Sequence, residues 1–178
     1  MTEERIVAPD PVHEPEAYQQ ALLDLLGGRD PIQVLAETPE IFVTKTVGLD
    51  IATLQRPPEP GEWSIEELLK HYFHGEIVYS FRWRITLAQD GVAYPGYDQD
   101  VWNTLVTPPF PEMLAAFAAL RRANVELFEE TPREQWARSG LHAERGPESF
   151  ELTVNLLAGH DLAHLKQLDQ TLAAVVVD

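Results

Sequence analysis

Apolar residues recur at helical spacing along most of this 178-residue chain, and this periodicity limits the folds that are open to it. Between Ser64 and about Gln89 the apolar stripe consists of Ile65, Leu68, Leu69, Tyr72, Tyr79 and Trp83. No alternation of strand and helix patterns is present, which argues against a doubly wound α/β fold. The sequence predicts an all-α fold, a four-helix bundle with long connecting loops, in a single domain over residues 15–178.

Capping signals define the predicted helix boundaries. Ser64 and Glu67 form a capping box, in which the serine caps the helix and the glutamate reaches back to it. Asp30-Pro31 and Thr38-Pro39 mark two further helix starts, because a capping residue precedes a proline. We expect helical segments over residues 15–26, 31–36, 38–48, 64–89, 112–130 and 153–174. The residues before Pro15 are mostly polar and are predicted to be a flexible tail, 1–14.

Two short segments are ambiguous in this scheme. Ile41-Phe42-Val43 is rich in residue types that are common in strands, although a helix remains the preferred interpretation. Val175-Val176-Val177 could pair as a strand, but a frayed C-terminus is the simpler expectation.

The composition excludes several kinds of site and partner. The chain has no cysteine, so it contains no disulfide, zinc–thiolate site or cysteine nucleophile. Its formal net charge of −16 repels phosphate backbones and anionic lipids, so we expect neither nucleic acid nor membrane as a partner. Residues 1–14 lack the apolar core of a signal peptide, and no apolar run is long enough to span a membrane. These features predict a cytoplasmic protein.

Two histidines lie one helical turn apart near the end of the chain. His160 and His164 project from the same face of the predicted helix, so both imidazoles can reach one metal ion at about 2.0–2.1 Å. On this spacing alone two interpretations stay open, a metal site or two buried rings that only satisfy hydrogen bonds. Asp161, rather than glutamate, follows His160, which disfavours a metalloprotease of the His-Glu-x-x-His type.

A third metal ligand has to come from another helix. His71 lies between the predicted core residues Leu68 and Tyr72, so its side chain is expected to point inward, and we prefer it to His74. The sequence therefore offers His71, His160 and His164 as candidate ligands.

Glu76 lies on the same predicted core stripe, where an apolar residue is expected. A carboxylate there is costly unless it is paired. Glu76 is expected either to support the site, by hydrogen-bonding a ligand histidine or binding the metal, or to form an ion pair with an arginine such as Arg82 or Arg121.

Several motifs, in order along the chain, resemble a known family. Trp63-Ser64-Ile65-Glu66-Glu67-Leu68-Leu69-Lys70-His71, followed by Glu76, resembles the second-helix motif of the DinB/YfiT-like superfamily. The stretch Leu157-Ala158-Gly159-His160-Asp161-Leu162-Ala163-His164-Leu165-Lys166-Gln167 is similar to its last-helix motif. The Tyr94 to Trp102 connection and the Asp30 to Pro39 segment are similar to parts of many members. The similarity extends over about residues 22–172, nearly the whole domain.

The resemblance implies a four-helix bundle of up-down-down-up topology, frequently a homodimer, with a divalent metal held by His71, His160 and His164. Zinc and nickel are expected ahead of manganese, iron, cobalt and copper, since three imidazoles suit several of these ions. Many relatives carry a further histidine beside the last ligand, where this chain has Ala163. We interpret Ala163 as a non-ligand position, so the histidine triad is retained.

The resemblance also implies two chemistries, because the family includes metal-dependent hydrolases and transferases that use a low-molecular-weight thiol such as bacillithiol or mycothiol. Three protein ligands leave a coordination position open, as catalytic sites do. We expect a metal-dependent hydrolase or thiol-dependent transferase acting on a small molecule. The alternative is a non-catalytic, stress-response bundle that binds a metal or a small ligand. No catalytic acid or base is assigned; candidate pocket walls, or simply packed loop residues, are Tyr94, Tyr97, Trp102 and Trp136.

Overall fold

The computed structural model describes residues 13–176 of the chain. Its helices are α1 (Pro15–Leu26), α2 (Pro31–Thr46), α3 (Ile51–Leu54), α4 (Ile65–Ala88), α5 (Gln99–Asn103), α6 (Phe110–Glu130) and α7 (Phe150–Val175). Its strands are β1 (Val92–Tyr94), β2 (Ser139–His142) and β3 (Gly146–Ser149). Residues 1–12 of the predicted tail, and Val177 at the other end, lie outside the described residues. No helix within the described residues is long and apolar enough to cross a membrane.

The four longest helices, α2, α4, α6 and α7, form the bundle. Both α2 and α4 pack against α6 and α7, and the shorter α1 packs along α7. The backbones of α1 and α7 touch at Gly159, where a Cβ atom would lie 2.1 Å from the carbonyl oxygen of Leu22. Only glycine permits this approach. Gly159 precedes His160, so the crossing of α1 fixes α7 at the turn that begins the histidine pair.

Two clusters of buried side chains fill the bundle. Members of the first are Phe42, Leu68, Leu69, Tyr72, Phe117 and Leu168. Members of the second are Leu35, Trp83, Phe128, Phe150, Val154 and Leu157. The Trp83 indole donates a hydrogen bond to Thr153 Oγ1 at 3.0 Å, so α4 and α7 are joined by a polar contact inside the second cluster. The Tyr72 hydroxyl of the first cluster donates to the Asp161 carbonyl at 2.8 Å, beside the histidines of α7.

The predicted start of a separate helix at Thr38-Pro39 is wrong. A single helix, α2, runs through this segment with Pro39 inside it. Proline has no backbone N–H, so the carbonyl of Leu35 has no partner within the helix. Arg121 of α6 donates to that carbonyl from Nη1 at 3.0 Å. The tertiary hydrogen bond replaces the missing helical one, and the helix continues.

The loops carry a small sheet that the sequence analysis did not predict, so the fold is not purely all-α. Strand β1 pairs in parallel with β2, with Tyr94 opposite His142, and β2 pairs antiparallel with β3. These strands have only three or four residues, too few for a period of two to be recognised. The Tyr94 ring lies over Gly140, where a Cβ atom would be 2.1 Å from the ring. The sheet thus holds the loop after α4 against the loop before α7.

A buried arginine joins the four bundle helices. Arg121 of α6 donates from Nε to Glu76 Oε2 of α4 at 2.8 Å and from Nη1 to Asp161 Oδ2 of α7 at 2.5 Å. With its bond to the Leu35 carbonyl of α2, one guanidinium contacts three other helices. Burial opposes ionisation of Asp161, but the charge and hydrogen bonds of Arg121, together with the neighbouring His160, outweigh it and lower the pKa of that carboxyl. For Glu76 burial dominates and raises the pKa, although Arg121 and Asn124 act in the opposite direction.

We expect the substitution Arg121→Met to lower the free energy of unfolding by about 3–5 kcal/mol, because it leaves two buried carboxylates without their cation. Urea denaturation followed by circular dichroism measures the change. The control is Arg122→Met on the exposed side of the same helix, where we expect a change within about 0.5 kcal/mol. Equal losses for the two variants would contradict a central role for Arg121.

His142, at the end of β2, organises the turn of the β2–β3 hairpin. Its Nδ1 accepts hydrogen bonds from the backbone N–H groups of Glu144 at 3.2 Å and Arg145 at 3.3 Å. A nitrogen that accepts two hydrogen bonds cannot carry a proton, so the ring is neutral with hydrogen on Nε2. Burial and the charges of Arg145 and Arg82 lower the pKa of His142 to about 4.

His142 makes the free energy of unfolding depend on pH. In the unfolded chain its pKa is about 6.5, so between that pH and about 4 the unfolded state binds more protons and the folded state loses stability as the pH falls. We expect His142→Asn, which keeps an acceptor for the turn, to reduce this loss by roughly 1–3 kcal/mol. Urea denaturation at pH 7 and pH 4 tests the effect, with His13→Asn at an exposed position as the control. Identical losses in wild type and His142→Asn would disprove it.

Candidate metal centre

Helices α4 and α7 bring the three predicted histidine ligands together. His71 comes from α4, and His160 and His164 come from consecutive turns of α7. One ring nitrogen from each lies within 4.8 Å of the other two. Within the described residues, these three are the only histidine, aspartate or glutamate side chains that form such a group. Of the two candidates on α4, His71 therefore faces the pair, whereas His74 contacts the ring of Trp102 in α5.

The closest contact in the triad joins two nitrogens. Nε2 of His71 lies 2.8 Å from Nε2 of His160. Two imidazole lone pairs at this distance repel each other unless a proton or a cation lies between them. Tetrahedral zinc with bonds of about 2.0–2.1 Å separates its ligand nitrogens by roughly 3.3 Å, so small ring movements bring this pair to coordination distance.

The tautomer of His164 is set by Gln167, one turn further along α7. Nδ1 of His164 lies 2.8 Å from Oε1 of Gln167. A carbonyl oxygen only accepts, so Nδ1 must carry the hydrogen, and the lone pair is on Nε2. Burial and the neighbouring His160 lower the pKa of His164 to about 3. Burial, followed by His164 and His160, also holds the pKa of His71 well below its usual value. Both rings are therefore neutral near pH 7, the form that binds metals.

His160 carries the polar atom that tests whether a metal fits. Its Nδ1 is buried and has no hydrogen-bond partner, and Oδ1 of Asp161 lies 3.9 Å away. A metal-bound histidine usually donates its other N–H to a carboxylate or carbonyl. After a small rotation of the ring, the Nδ1–H group of His160 could donate a hydrogen bond to Asp161 Oδ1. The lone pair of Nε2 would then be available to bind a cation. The donor set and this unpartnered atom both fit a divalent ion.

Glu76 forms the ion pair that was one of its two predicted alternatives. Its Oε2 accepts from Arg121, and its Oε1 accepts from Asn124 Nδ2 at 2.6 Å. No hydrogen bond joins Glu76 to a histidine of the triad in the described structure. Its link to the site is indirect, because Arg121 also binds Asp161, the residue next to His160. Glu76 therefore fixes the helices that carry the ligands.

Aromatic rings enclose the triad on two sides. Trp63, just before α4, stacks on His164 with ring centroids 6.2 Å apart and planes 26° apart, and its ring lies 4.9 Å from that of His71. The Tyr72 ring lies 5.9 Å from His164 on the core side. Trp63 is half-buried, so its ring covers one side of the triad and is itself partly accessible to solvent.

The four predicted pocket walls separate into different places. Trp136 packs against Phe150 in the second apolar cluster, so ordinary packing explains it. Tyr94 lies against His142 within the small sheet. Tyr97 and Trp102 contact each other with ring centroids 5.3 Å apart, and the Tyr97 hydroxyl faces Gly75, one turn of α4 after His71. Only this last pair lies next to the helical turn that carries a triad ligand.

Sequence reasoning missed the roles of Gln167 and Trp63. Gln167 lies three residues after His164, and a polar residue at that spacing on the same helix face is a recognisable signal for a hydrogen bond to the ring. Trp63 precedes the capping serine, and with Leu68 at the fourth helical position it has the spacing of a hydrophobic staple, a local signal that its side chain folds back over the helix.

Comparison with known proteins establishes the family. The model of the DinB superfamily matches residues 35–168, which include all three histidines. The chain belongs to the DinB superfamily. Among solved structures, YfiT from Bacillus subtilis superposes with a TM-score of 0.75 at 20% sequence identity, over 80% of this chain and 84% of that chain. YfiT is described as "a probable metal-dependent hydrolase with an unusual four-helix bundle topology". No curated protein matches the chain.

Membership in the DinB superfamily confirms the resemblance that the linked motifs indicated. The likeness to YfiT confirms the four-helix bundle, because most of both chains superpose. At this level of identity the likeness shows the fold alone, and the up-down-down-up order of the helices stays a prediction.

The contact between Gln167 and His164 gives a direct test of the centre. We expect Gln167→Leu to weaken the affinity for zinc about 10- to 100-fold, because the ring loses the acceptor that fixes its tautomer. Isothermal titration of the metal-free protein with zinc measures this affinity. Gln170→Leu, an exposed glutamine on the same helix, is the matched control and should leave it unchanged. Equal affinities for both variants would show that Gln167 does not orient the ring.

Proposed function

We propose that the protein is a metal-dependent enzyme, a hydrolase or thiol-dependent transferase, that acts on a small molecule. His71, His160 and His164 would hold one divalent ion, with zinc or nickel expected first. The observation that carries the proposal is the convergence of three imidazole nitrogens with no fourth histidine or carboxylate in the group. Structural metal sites are closed by four ligands, whereas catalytic sites keep a position open. As the family resemblance implies, we also propose a homodimer.

When bound, a divalent ion supplies Lewis-acid chemistry, lowering the pKa of a water or a thiol that binds it. The residues of the chain provide the setting for this chemistry. Gln167 orients His164, Arg121 holds α4 and α7 in register, and Trp63 shields the triad from solvent on one side. Since the chain has no cysteine, any thiol has to come from a cofactor.

A second candidate function is binding of a metal or small ligand without catalysis. The observation in its favour is that both carboxylates near the triad are already committed. Glu76 pairs with Arg121 and Asn124, and Asp161 pairs with Arg121. Hydrolysis would lack a free carboxylate to act as general base, whereas transfer to a metal-bound thiol has less need of one.

Metal analysis tests the centre itself. We expect the wild-type protein, stripped with chelator and reloaded with zinc or nickel, to contain about one ion per chain, as a single catalytic-type site does. His160→Ala should lose it, because two imidazoles remain. His13→Ala, at an exposed position outside the triad, should keep it. No bound ion in the wild type after incubation with either metal would overturn the proposed centre.

Activity of the reloaded protein separates the two candidate functions. Cleavage of activated esters without a thiol supports a hydrolase. Conversion of an electrophile only when a low-molecular-weight thiol is present supports a transferase. In both cases His160→Ala should abolish turnover. Stoichiometric metal without turnover of either kind of substrate would favour the non-catalytic alternative.

A further inference from the structure

Arg82 is a buried cation without a counter-ion. The residue is 3% exposed, and no carboxylate oxygen of the described residues lies within 4.0 Å of its nitrogens. Its one hydrogen bond runs from Nη2 to the Pro95 carbonyl at 2.7 Å, so four of its five N–H groups have no partner among the described residues. A buried charge normally pairs with an opposite charge or fills its hydrogen bonds, because removing it from water is costly.

The buried carboxylate of Glu148, which binds Tyr94, is fully used by other residues. Glu148 accepts from Arg145 through both oxygens, at 2.6 and 3.2 Å. It also accepts from Gln19 at 3.1 Å and from the Tyr94 hydroxyl at 3.4 Å. The exposed carboxylate of Glu144 packs over Gly96 and makes no ion pair with Arg82. Arg82, Arg145 and Glu148 therefore form a group of two guanidinium cations and one buried carboxylate. The buried charges of this group sum to an excess of one positive charge.

The electrostatic effect of this excess is visible at His142. After burial, the charges of Arg145 and Arg82 are the largest causes of its lowered pKa, and they outweigh the opposite effect of Glu148. The chain as a whole carries a formal net charge of −16, so a positive interior is contrary to its average electrostatic character. Anions are repelled by the surface at large and attracted only at such a local site.

Aromatic rings form the walls around the Arg82 guanidinium. Its Cζ lies 4.9 Å from the ring centroid of Tyr94, 5.5 Å from that of Tyr79 and 5.8 Å from that of Tyr97. These rings lie around the guanidinium, and only its Nη2 donates a hydrogen bond among the described residues. The unpartnered nitrogens of Arg82 are not among the fully enclosed polar atoms that lack a partner, so they retain contact with accessible space.

The position of Arg82 on α4 relates it to the histidine triad. Successive helical residues are rotated by about 100°, so His71, Gly75 and Arg82 share one face within about 40°. The Cα atoms of His71 and Arg82 are separated by ~16 Å along the axis, and both side chains lean towards the N-terminus of α4, so they remain about three turns apart. Between them this face carries Gly75, which has no side chain, and Val78, and the Tyr97 hydroxyl lies 3.6 Å from where the Gly75 Cβ would be.

We propose that Arg82 binds the oxyanion of a small ligand, a carboxylate or a phosphate group, between the rings of Tyr79, Tyr94 and Tyr97. The planar fork of free N–H donors matches both groups. If the proposed function holds, this inference narrows it, because the substrate would carry an anionic group up to about three helical turns from its reacting end. Binding of the anion itself does not require the metal.

Thermal unfolding of the metal-free protein tests the proposal with sodium benzoate and inorganic phosphate as probes, against sodium chloride at equal ionic strength. At ten times the dissociation constant we expect either probe to raise Tm by about 3–5 °C over chloride. A larger shift with benzoate indicates an organic acid as ligand, and a larger one with phosphate indicates a phosphate ester. No shift of the wild type over chloride with either probe overturns the proposal.

Variants locate the bound anion. Arg82→Met should remove the shift, Arg82→Lys should reduce it because the fork is lost, and the exposed Arg122→Met should keep it. An undiminished shift in Arg82→Met overturns the assignment. His160→Ala, measured in the same way, should respond to the anions as the wild type does. Anion binding without metal-dependent turnover would support this inference while refuting the proposed enzyme, and turnover without anion binding would do the reverse.

Discussion

The guanidinium of Arg121 is the point at which all four bundle helices meet. It extends from α6 and contacts Glu76 on α4, Asp161 on α7 and the Leu35 carbonyl on α2. A buried ion network of this kind adds little net stability over an apolar core, but losing one member is costly because its partners stay buried. Its value lies in specificity, since only one arrangement of the four helices brings all the acceptors to one cation.

The geometry of the histidine triad depends on this arrangement. Glu76 lies on the helix that provides His71, and Asp161 lies between His160 and His164 on α7. The network therefore joins α4 to α7, the two helices that carry the histidines. On α7 the joined residue, Asp161, is adjacent to His160. Because Glu76 and Asp161 are paired with Arg121, neither carboxylate is free to act as a general acid or base. Their structural role therefore limits the reactions that can take place beside the histidines.

Structural features that depend on residues within one helical turn were predicted correctly from the sequence. The features that were missed depend on contacts with another helix or strand. The capping box of Ser64 and Glu67, and the spacing of His160 and His164, are local, and both appear as expected. Pro39 has a local signal that predicts a helix start, but a distant arginine satisfies the carbonyl it leaves free. The small sheet was missed because its stability comes from pairing between short loop segments that carry no pattern of their own. Whether Glu76 pairs or supports a ligand was undecidable without knowing which arginine packs opposite.

Helix α4 sets the relation between the polar groups of the interior. His71 joins the triad, Glu76 joins the Arg121 network, and Arg82 lies in the aromatic enclosure, each at a different height on the same helix. A continuous helix is stiff, so these heights are fixed by its rise per residue rather than by a loop. A ligand that reached both the triad and Arg82 would therefore be selected by its length as well as by its charge. Such selection also needs α4 to keep its position against α7, which carries two of the three histidines, and the Arg121 network joins these two helices.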